Sequence, residues 1–227
     1  MSEAQDIADC VTAWLAYKHK VGLADLLNES SMAVPIAEYL AARHGTQIKS
    51  EVAHPLFEAK KKGRPRQIDF VRYKSNNTAW HAAFETKFET TDLYKIAGDL
   101  CRLVCLAQAK NVGNPARYFV YSAKTTKGKA FLGSSFNDAS GRKSYFDGVL
   151  SRDVQELGKP LAVRINGLHD KQRKPFRLFA REYKTKIPST FKINLKGWTE
   201  FGGFTCAVWQ VLAARGSTLI SAEEMMS

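Results

Sequence analysis

The chain has 227 residues, 44% of them hydrophobic, which is ample for the core of one large domain or of one domain with a small appendage. Its formal net charge of +12 and pI near 9.6 point to an acidic partner. Nucleic acid comes first, because phosphate neutralisation by Lys and Arg is the main sequence-independent term in DNA affinity. No apolar run approaches the roughly 20 residues a membrane span needs, no secretory signal opens the chain, and Cys10, Cys101, Cys105 and Cys206 form no C-x-x-C pair. A membrane span, a disulfide-stapled secreted domain and a zinc ribbon are thereby disfavoured, and a cytoplasmic protein with reduced thiols is the expectation.

Ser2 with Gln5 resembles a capping box opening a helix through about Tyr17, with Ile7, Val11, Trp14 and Leu15 as its apolar face. Ser31 can cap a helix over 32–44, with Pro35 in its first turn and Gly45 as its stop. Residues 47–54 read as a strand in which Ile48, Ser50 and Val52 alternate with Lys49, Glu51 and Ala53. The basic run Lys60-Lys61-Lys62-Gly63-Arg64-Pro65-Arg66 follows, and is read as a clamp on the DNA backbone.

Two strand-like segments come next, 66–73 and 78–88, joined by the turn chemistry of Lys74-Ser75-Asn76-Asn77. A hairpin about Asn76 sets Asp69 opposite residue 83 or 84, one rung from Glu85, with Glu85 and Lys87 on the face of His81 and Ala83. Two carboxylates and an ammonium then share one patch. Asp and Glu are hard oxygen ligands suited to Mg²⁺, which keeps several waters and is held by one or two carboxylates plus substrate phosphate. A lysine beside them can orient or deprotonate the attacking water. The competing reading is a solvated hairpin face with a weak Glu-x-Lys surface pair; the apolar Ile68, Phe70, Val71, Phe84 and Phe88 argue instead for core strands, where lone charges are costly.

Residues 92–109 carry Leu93, Ile96, Ala97, Leu100, Val104 and Ala107 at helical spacing, against a charged stripe of Asp92, Lys95, Asp99 and Arg102. Residues 117–123 complete the run as a strand. Beyond it, 125–141 reads as a long loop, in which Lys127-Gly128-Lys129 is not a P-loop. A helix is expected over 145–157, strands over 161–165, 176–183 and 190–195, a closing helix over 204–214 and a frayed tail over 216–227. A second basic cluster, Lys171, Arg173, Lys174, Arg177, Arg181, Lys184 and Lys186, is interleaved with Phe176, Phe179 and Tyr183 and reads as a sheet edge that tracks phosphate.

On Asp69 and the Glu85-Thr86-Lys87 tripeptide the chain resembles the PD-(D/E)XK nuclease superfamily over 31–123, with Gln67-Ile68-Asp69 standing where the family often has Pro-Asp. The resemblance implies an α/β fold with a restriction-endonuclease-like core of a helix, three antiparallel strands, a second helix and a further strand, with a mixed central sheet flanked by helices, preceded by a helical segment (1–30) and followed by an α/β elaboration (124–215) and a flexible tail (216–227). It implies Mg²⁺ or Mn²⁺ on Asp69 and Glu85, with Lys87 at the attacking water. It also implies a glutamate from the first core helix, Glu38, in the metal shell, with Glu51 as its rival. Lys95 and Arg102 become candidates for phosphate contact, against a solvated helix face as the favoured alternative. The expected activity is DNA endonuclease in a restriction, repair or phage-defence setting, with RNA not excluded and a two-fold dimer suited to cutting both strands. The alternatives are a non-catalytic nucleic-acid-binding protein of the same fold, and a structural subunit whose basic face meets an acidic protein.

Overall fold

The structure, a computed structural model, describes residues 2–45, 47–57, 66–74, 79–90, 92–132, 150 and 158–226. Its centre is a seven-stranded mixed sheet of β1 (Ile48–Ala53), β2 (Gln67–Tyr73), β3 (Trp80–Phe88), β4 (Ala116–Lys124), β5 (Pro160–Arg164), β7 (Thr190–Phe201) and β8 (Phe204–Ala213), in the order β1-β2-β3-β4-β8-β7-β5. β3 and β4 are parallel and the other neighbours antiparallel. The parallel pair needs a crossover, and helix α3 (Leu93–Cys105) supplies it.

Helices cover both faces. α1 (Glu3–Lys20), capped by Ser2, and α2 (Glu29–His44) pack on one face over Phe70, Ala82, Phe84, Val120 and Val208. α3 and α5 (Asp170–Glu182) pack on the other, over Ala83, Phe119, Tyr121 and Trp209. A Cβ at Gly197 of β7 would stand 2.3 Å from the Ala4 carbonyl oxygen, so this glycine lets α1 lie directly on the strand. Among the described residues no helix is long and apolar enough to cross a membrane.

Several elements differ from the sequence reading. α2 begins three residues early: Asn28 is the N-cap and Ser31 closes the box from the third helical position, which moves Pro35 from the first turn into the helix interior. The expected loop after β4 starts instead with α4 (Thr125–Leu132). The expected strand over 176–183 is α5, because Gln172, Pro175, Phe176, Phe179 and Ala180 follow a 3.6-residue period and form its buried side. The expected closing helix is β8, hairpinned to β7 through Gly202 (φ 58°) and Gly203 (φ 85°). A two-residue loop with both φ positive matches the strand twist, and glycine adopts it without Cβ strain. The tail is also anchored: β9 (Leu219–Ile220) pairs with β6 (Ile187–Pro188), and Ala222 and Met225 are buried. The hairpin turn at 75–78 and the helix expected over 145–157, apart from Leu150, lie outside the described residues.

Candidate active site

The site forms where the β2–β3 ladder ends. Phe70 pairs with Phe84, Val71 with Ala83 and Arg72 with Ala82, so the next rung would set Asp69 against Glu85. That rung does not form. Instead the Asp69 carboxylate takes the bonds of the freed strand: its Oδ2 accepts from the Thr86 backbone N–H at 2.7 Å and the Thr86 hydroxyl at 2.9 Å. The other side of β2 is interrupted at the same place. Ser50 pairs with Phe70 and Val52 with Ile68, but Glu51, which has φ 51°, does not pair with Asp69. Because β2 turns over here, Asp69 and Phe70, neighbours in sequence, both line one cleft.

That cleft, about 770 Å³, lies between α2 and the strands β1, β2 and β3. Ala33, Ala37, Ala41, Ile48 and Phe70 give it apolar walls, and Glu29, Glu51, Asp69 and Thr86 supply polar groups.

Glu85 does not line this cleft, although the Asp69 charge still reaches it. It is wholly buried, with Arg102 of α3 gripping both carboxylate oxygens, Nε to Oε1 at 2.6 Å and Nη2 to Oε2 at 3.0 Å. Arg102 Nη2 also donates to Asp99 Oδ1, and Asp99 is itself buried. Lys87 completes the chain of charges, its Nζ 2.8 Å from Asp99 Oδ2, 2.8 Å from Glu29 Oε1 and donating to the Thr86 carbonyl at 2.9 Å. Glu29, Lys87, Asp99, Arg102 and Glu85 thus alternate in sign across the end of the sheet, joining the first turn of α2 to the middle of α3.

Burial pushes the Glu85 carboxyl well above the usual carboxylate range, against the pull of Arg102. It raises Asp99 to about 6, against the pull of Arg102 and Lys87. Burial would lower Lys87, but Asp99 and Glu29 outweigh it and hold the ammonium above its ordinary range. Lys87 is therefore a fixed cation at neutral pH, which removes the deprotonating role the sequence allowed it. Nearby His54 is neutral: burial, aided by the Arg102 charge, lowers it to about 4, while Nε2 donates to the Arg102 carbonyl and Nδ1 accepts from Leu56 N–H.

Against expectation, then, Asp69 and Glu85 do not share one open patch: Asp69 opens to the cleft under α2 and Glu85 is sealed under α3. Arg102 is not a free phosphate-binding group, since its guanidinium is committed to two buried carboxylates. Glu38 is exposed and does not line the cleft; the glutamate of α2 that reaches the motif is Glu29, two and a half turns earlier. Glu51 does line the cleft, whereas Lys95 points to solvent. Arg66 packs on α5, donating to the Tyr183 hydroxyl and lying 3.4 Å from Glu182. Lys60, Lys61, Lys62 and Arg64 lie outside the described residues. His81 is exposed and pairs with Arg72 at 2.7 Å, away from the site.

The sequence reading missed Glu29 and Asp99 as site residues. Asp99 had a signal, since it stands three residues after Ile96 and four before Leu103, on the buried side of α3.

Among the described residues, no three His, Cys, Asp or Glu side chains converge as a ready-made metal cage. The residues fit a divalent cation in a narrower sense. Asp69 Oδ1 has no hydrogen-bond partner among the described residues, and Asp69 and Glu29 both line the cleft. One or two carboxylates plus phosphate suffice for Mg²⁺. Glu85, with both oxygens taken, does not fit as a ligand in this arrangement. In comparisons with known proteins, the chain matches no family model, no curated protein and no solved structure.

Proposed function

We propose that this protein is a Mg²⁺- or Mn²⁺-dependent nuclease, hydrolysing phosphodiester bonds of DNA on a restriction-endonuclease-like core. The observation that carries the reading is the fork in the sheet: Asp69 leaves the ladder and bonds Thr86 at a cleft that Glu29 also lines, and Glu29 in turn pairs with Lys87. The order α2-β1-β2-β3-α3-β4 supports it, because a helix, three antiparallel strands, a helix and a further strand is what the resemblance implies. So does the net charge of +12, which suits a polyanionic substrate.

Asp69 and Glu29 would hold the cation. When bound, it would lower the pKa of a bound water and stabilise charge on the scissile phosphate. Lys87, kept protonated by Asp99 and Glu29, would position a water or a phosphate oxygen by turning to it one of the three bonds now given to Asp99, Glu29 and the Thr86 carbonyl. Arg102 orients Glu85 and Asp99, and a substrate phosphate can compete with those carboxylates for its guanidinium. Exchange of that kind would free Glu85 to join Asp69.

A second reading, a non-catalytic nucleic-acid-binding protein of the same fold, is favoured by one observation, the Arg102 grip on both oxygens of Glu85. Incubation with supercoiled plasmid DNA separates the two. The nuclease reading expects nicked or linear product with Mn²⁺, none in excess EDTA, and none from Asp69→Asn, which keeps the wild-type melting temperature and DNA affinity. Salt-sensitive binding without product in any divalent cation would establish the second reading.

A further inference from the structure

We infer that the outward face of α5 is a docking surface for the phosphate backbone of double-stranded DNA. The inference extends the nuclease reading by naming the face that holds the substrate. Lys174, Arg177 and Arg181 follow one another at intervals of three and four residues, so they stand in one row opposite the buried Phe176 and Phe179, and Lys184, two residues past the helix at φ 48°, adds a further cation beyond its C-terminal end. Within the helix the row is about 10 Å long, which spans about three phosphates at 3.4 Å of axial rise along one strand. Lys174, Arg181 and Lys184 are exposed, whereas Arg177 is half-buried and lies 3.5 Å from Asp170. The acids of the helix do little to neutralise the row: Asp170 sits at its far end beside Arg173 and Arg177, and Glu182 is turned toward Arg66.

The position of the row ties it to the site. The C-terminal end of α5 touches Arg66 through Tyr183 and Glu182, and Arg66 precedes Asp69 by three strand residues, about 10 Å. Phe179 packs against α3 near Gly98 and the Arg102 guanidinium, directly over the buried ion chain. A backbone lying along α5 therefore comes to the start of β2, and reaches the cleft by passing round the end of the sheet to the α2 face.

The aromatic residues decide between duplex and single strand. Single-strand binders combine a basic track with exposed rings on which bases stack. Here Phe176 and Phe179 are buried, and Tyr183 is half-buried with its hydroxyl held by Arg66. The face offers charge without a stacking platform, which suits a duplex whose bases are already paired.

The test is fluorescence-anisotropy titration of a duplex oligonucleotide at several salt concentrations, with Asp69→Asn present throughout so that cleavage cannot intrude. Lys174→Gln, Arg181→Gln and Lys184→Gln are combined and compared with an equal loss of charge elsewhere, at the exposed Lys20, Lys110 and Lys192. Each lost phosphate contact lowers the log-log salt slope by about 0.9. The α5 variant should therefore lose about 2.7 from its slope and, between 50 and 200 mM salt, about 40-fold less affinity than the wild type. The control should keep the wild-type slope. An unchanged slope in the α5 variant, an equal drop in both variants, or loss of binding to anionic vesicles with duplex affinity intact would each overturn the inference. A wild type that binds through α5 but never cuts DNA would retire the nuclease and leave this surface standing.

Discussion

Replacing Arg102 with methionine isolates what the buried ion chain does. Glu85 is 0% exposed and Asp99 2%, and Arg102 is the cation both share. Its loss strands Glu85 without a cation partner among the described residues and leaves Asp99 to Lys87 alone. Breaking a buried pair from one side costs about 3–5 kcal/mol, because the remaining charge keeps its desolvation penalty. Domains of ordinary stability have only about 5–15 kcal/mol in total. The variant has one escape, which is to protonate Glu85, whose carboxyl burial already holds high. A raised folded-state pKa favours the folded state at low pH and loses that advantage as pH rises. The deficit of Arg102→Met relative to wild type should therefore be smaller at pH 5 than at pH 7.5. The double variant Glu85→Leu with Arg102→Met should recover most of the loss, since it removes both charges together. Urea unfolding at the two pH values measures this directly. If Glu85 once freed can share a cation with Asp69, Mn²⁺ at about 100 times its Kd should return about 2.7 kcal/mol to the single variant and nothing to the double. A deficit under about 1 kcal/mol, equal at both pH values, would refute the reasoning, because it would mean that Arg102 and Glu85 are not a desolvated pair.

Lys87→Ala should lower single-turnover cleavage at saturating Mn²⁺ while Mn²⁺ affinity survives or rises, since a positive charge beside the cation is gone. Lys87→Arg should rescue only in part, because a planar guanidinium fits a site built for a compact ammonium poorly, and wild-type rates in both variants would remove Lys87 from the mechanism. For Asp99, whose carboxyl is pushed up from an ordinary value near 3.8 to about 6, the folded state holds the extra proton between those values. Wild-type stability should consequently fall as pH rises from about 4 to 6, by on the order of 3 kcal/mol from this group. Asp99→Asn should flatten that slope in thermal melts, and an identical pH profile would show that Asp99 titrates normally.

The sequence exposed the centre of the fold better than its end. β1, β2, β3, α3 and β4 fall where apolar patterning and turn signals put them, with the central strands β2, β3 and β4 apolar on both faces and α3 on one. The helix expected over 204–214 is instead β8, since a short apolar run has no period that separates a buried strand from a buried helix. Gly202-Gly203 was the signal that could have decided it. The basic and aromatic residues of 171–186 misled in the opposite sense: reading them in alternation hid the helical row that unites Lys174, Arg177 and Arg181.

The site itself was legible in its residue types but not in its partnerships, and the reason is physical. Period-two alternation holds only while the ladder is regular, and the ladder breaks at Asp69, where an unpaired Glu51 at positive φ lies on one side and a side-chain bond to Thr86 replaces a rung on the other. Asp69 consequently points into the cleft while Glu85 stays beneath α3. That separation leaves four carboxylates, Glu29, Asp69, Glu85 and Asp99, facing two cations, Lys87 and Arg102, so the end of the sheet carries two uncompensated negative charges when all six are ionised. On a chain of net charge +12 such a deficit is a local feature against the general field. Three things can relieve it: protons, which is the direction in which Glu85 and Asp99 are pushed, strong solvation, or a divalent cation. Protons and cation compete for the same charge, so Mn²⁺ binding should tighten as pH rises through about 6 and should release protons below it. Calorimetric titration of Mn²⁺ in two buffers of different ionisation enthalpy reads that proton release, and a heat that is the same in both buffers at pH 5.5 would separate the cation from this cluster.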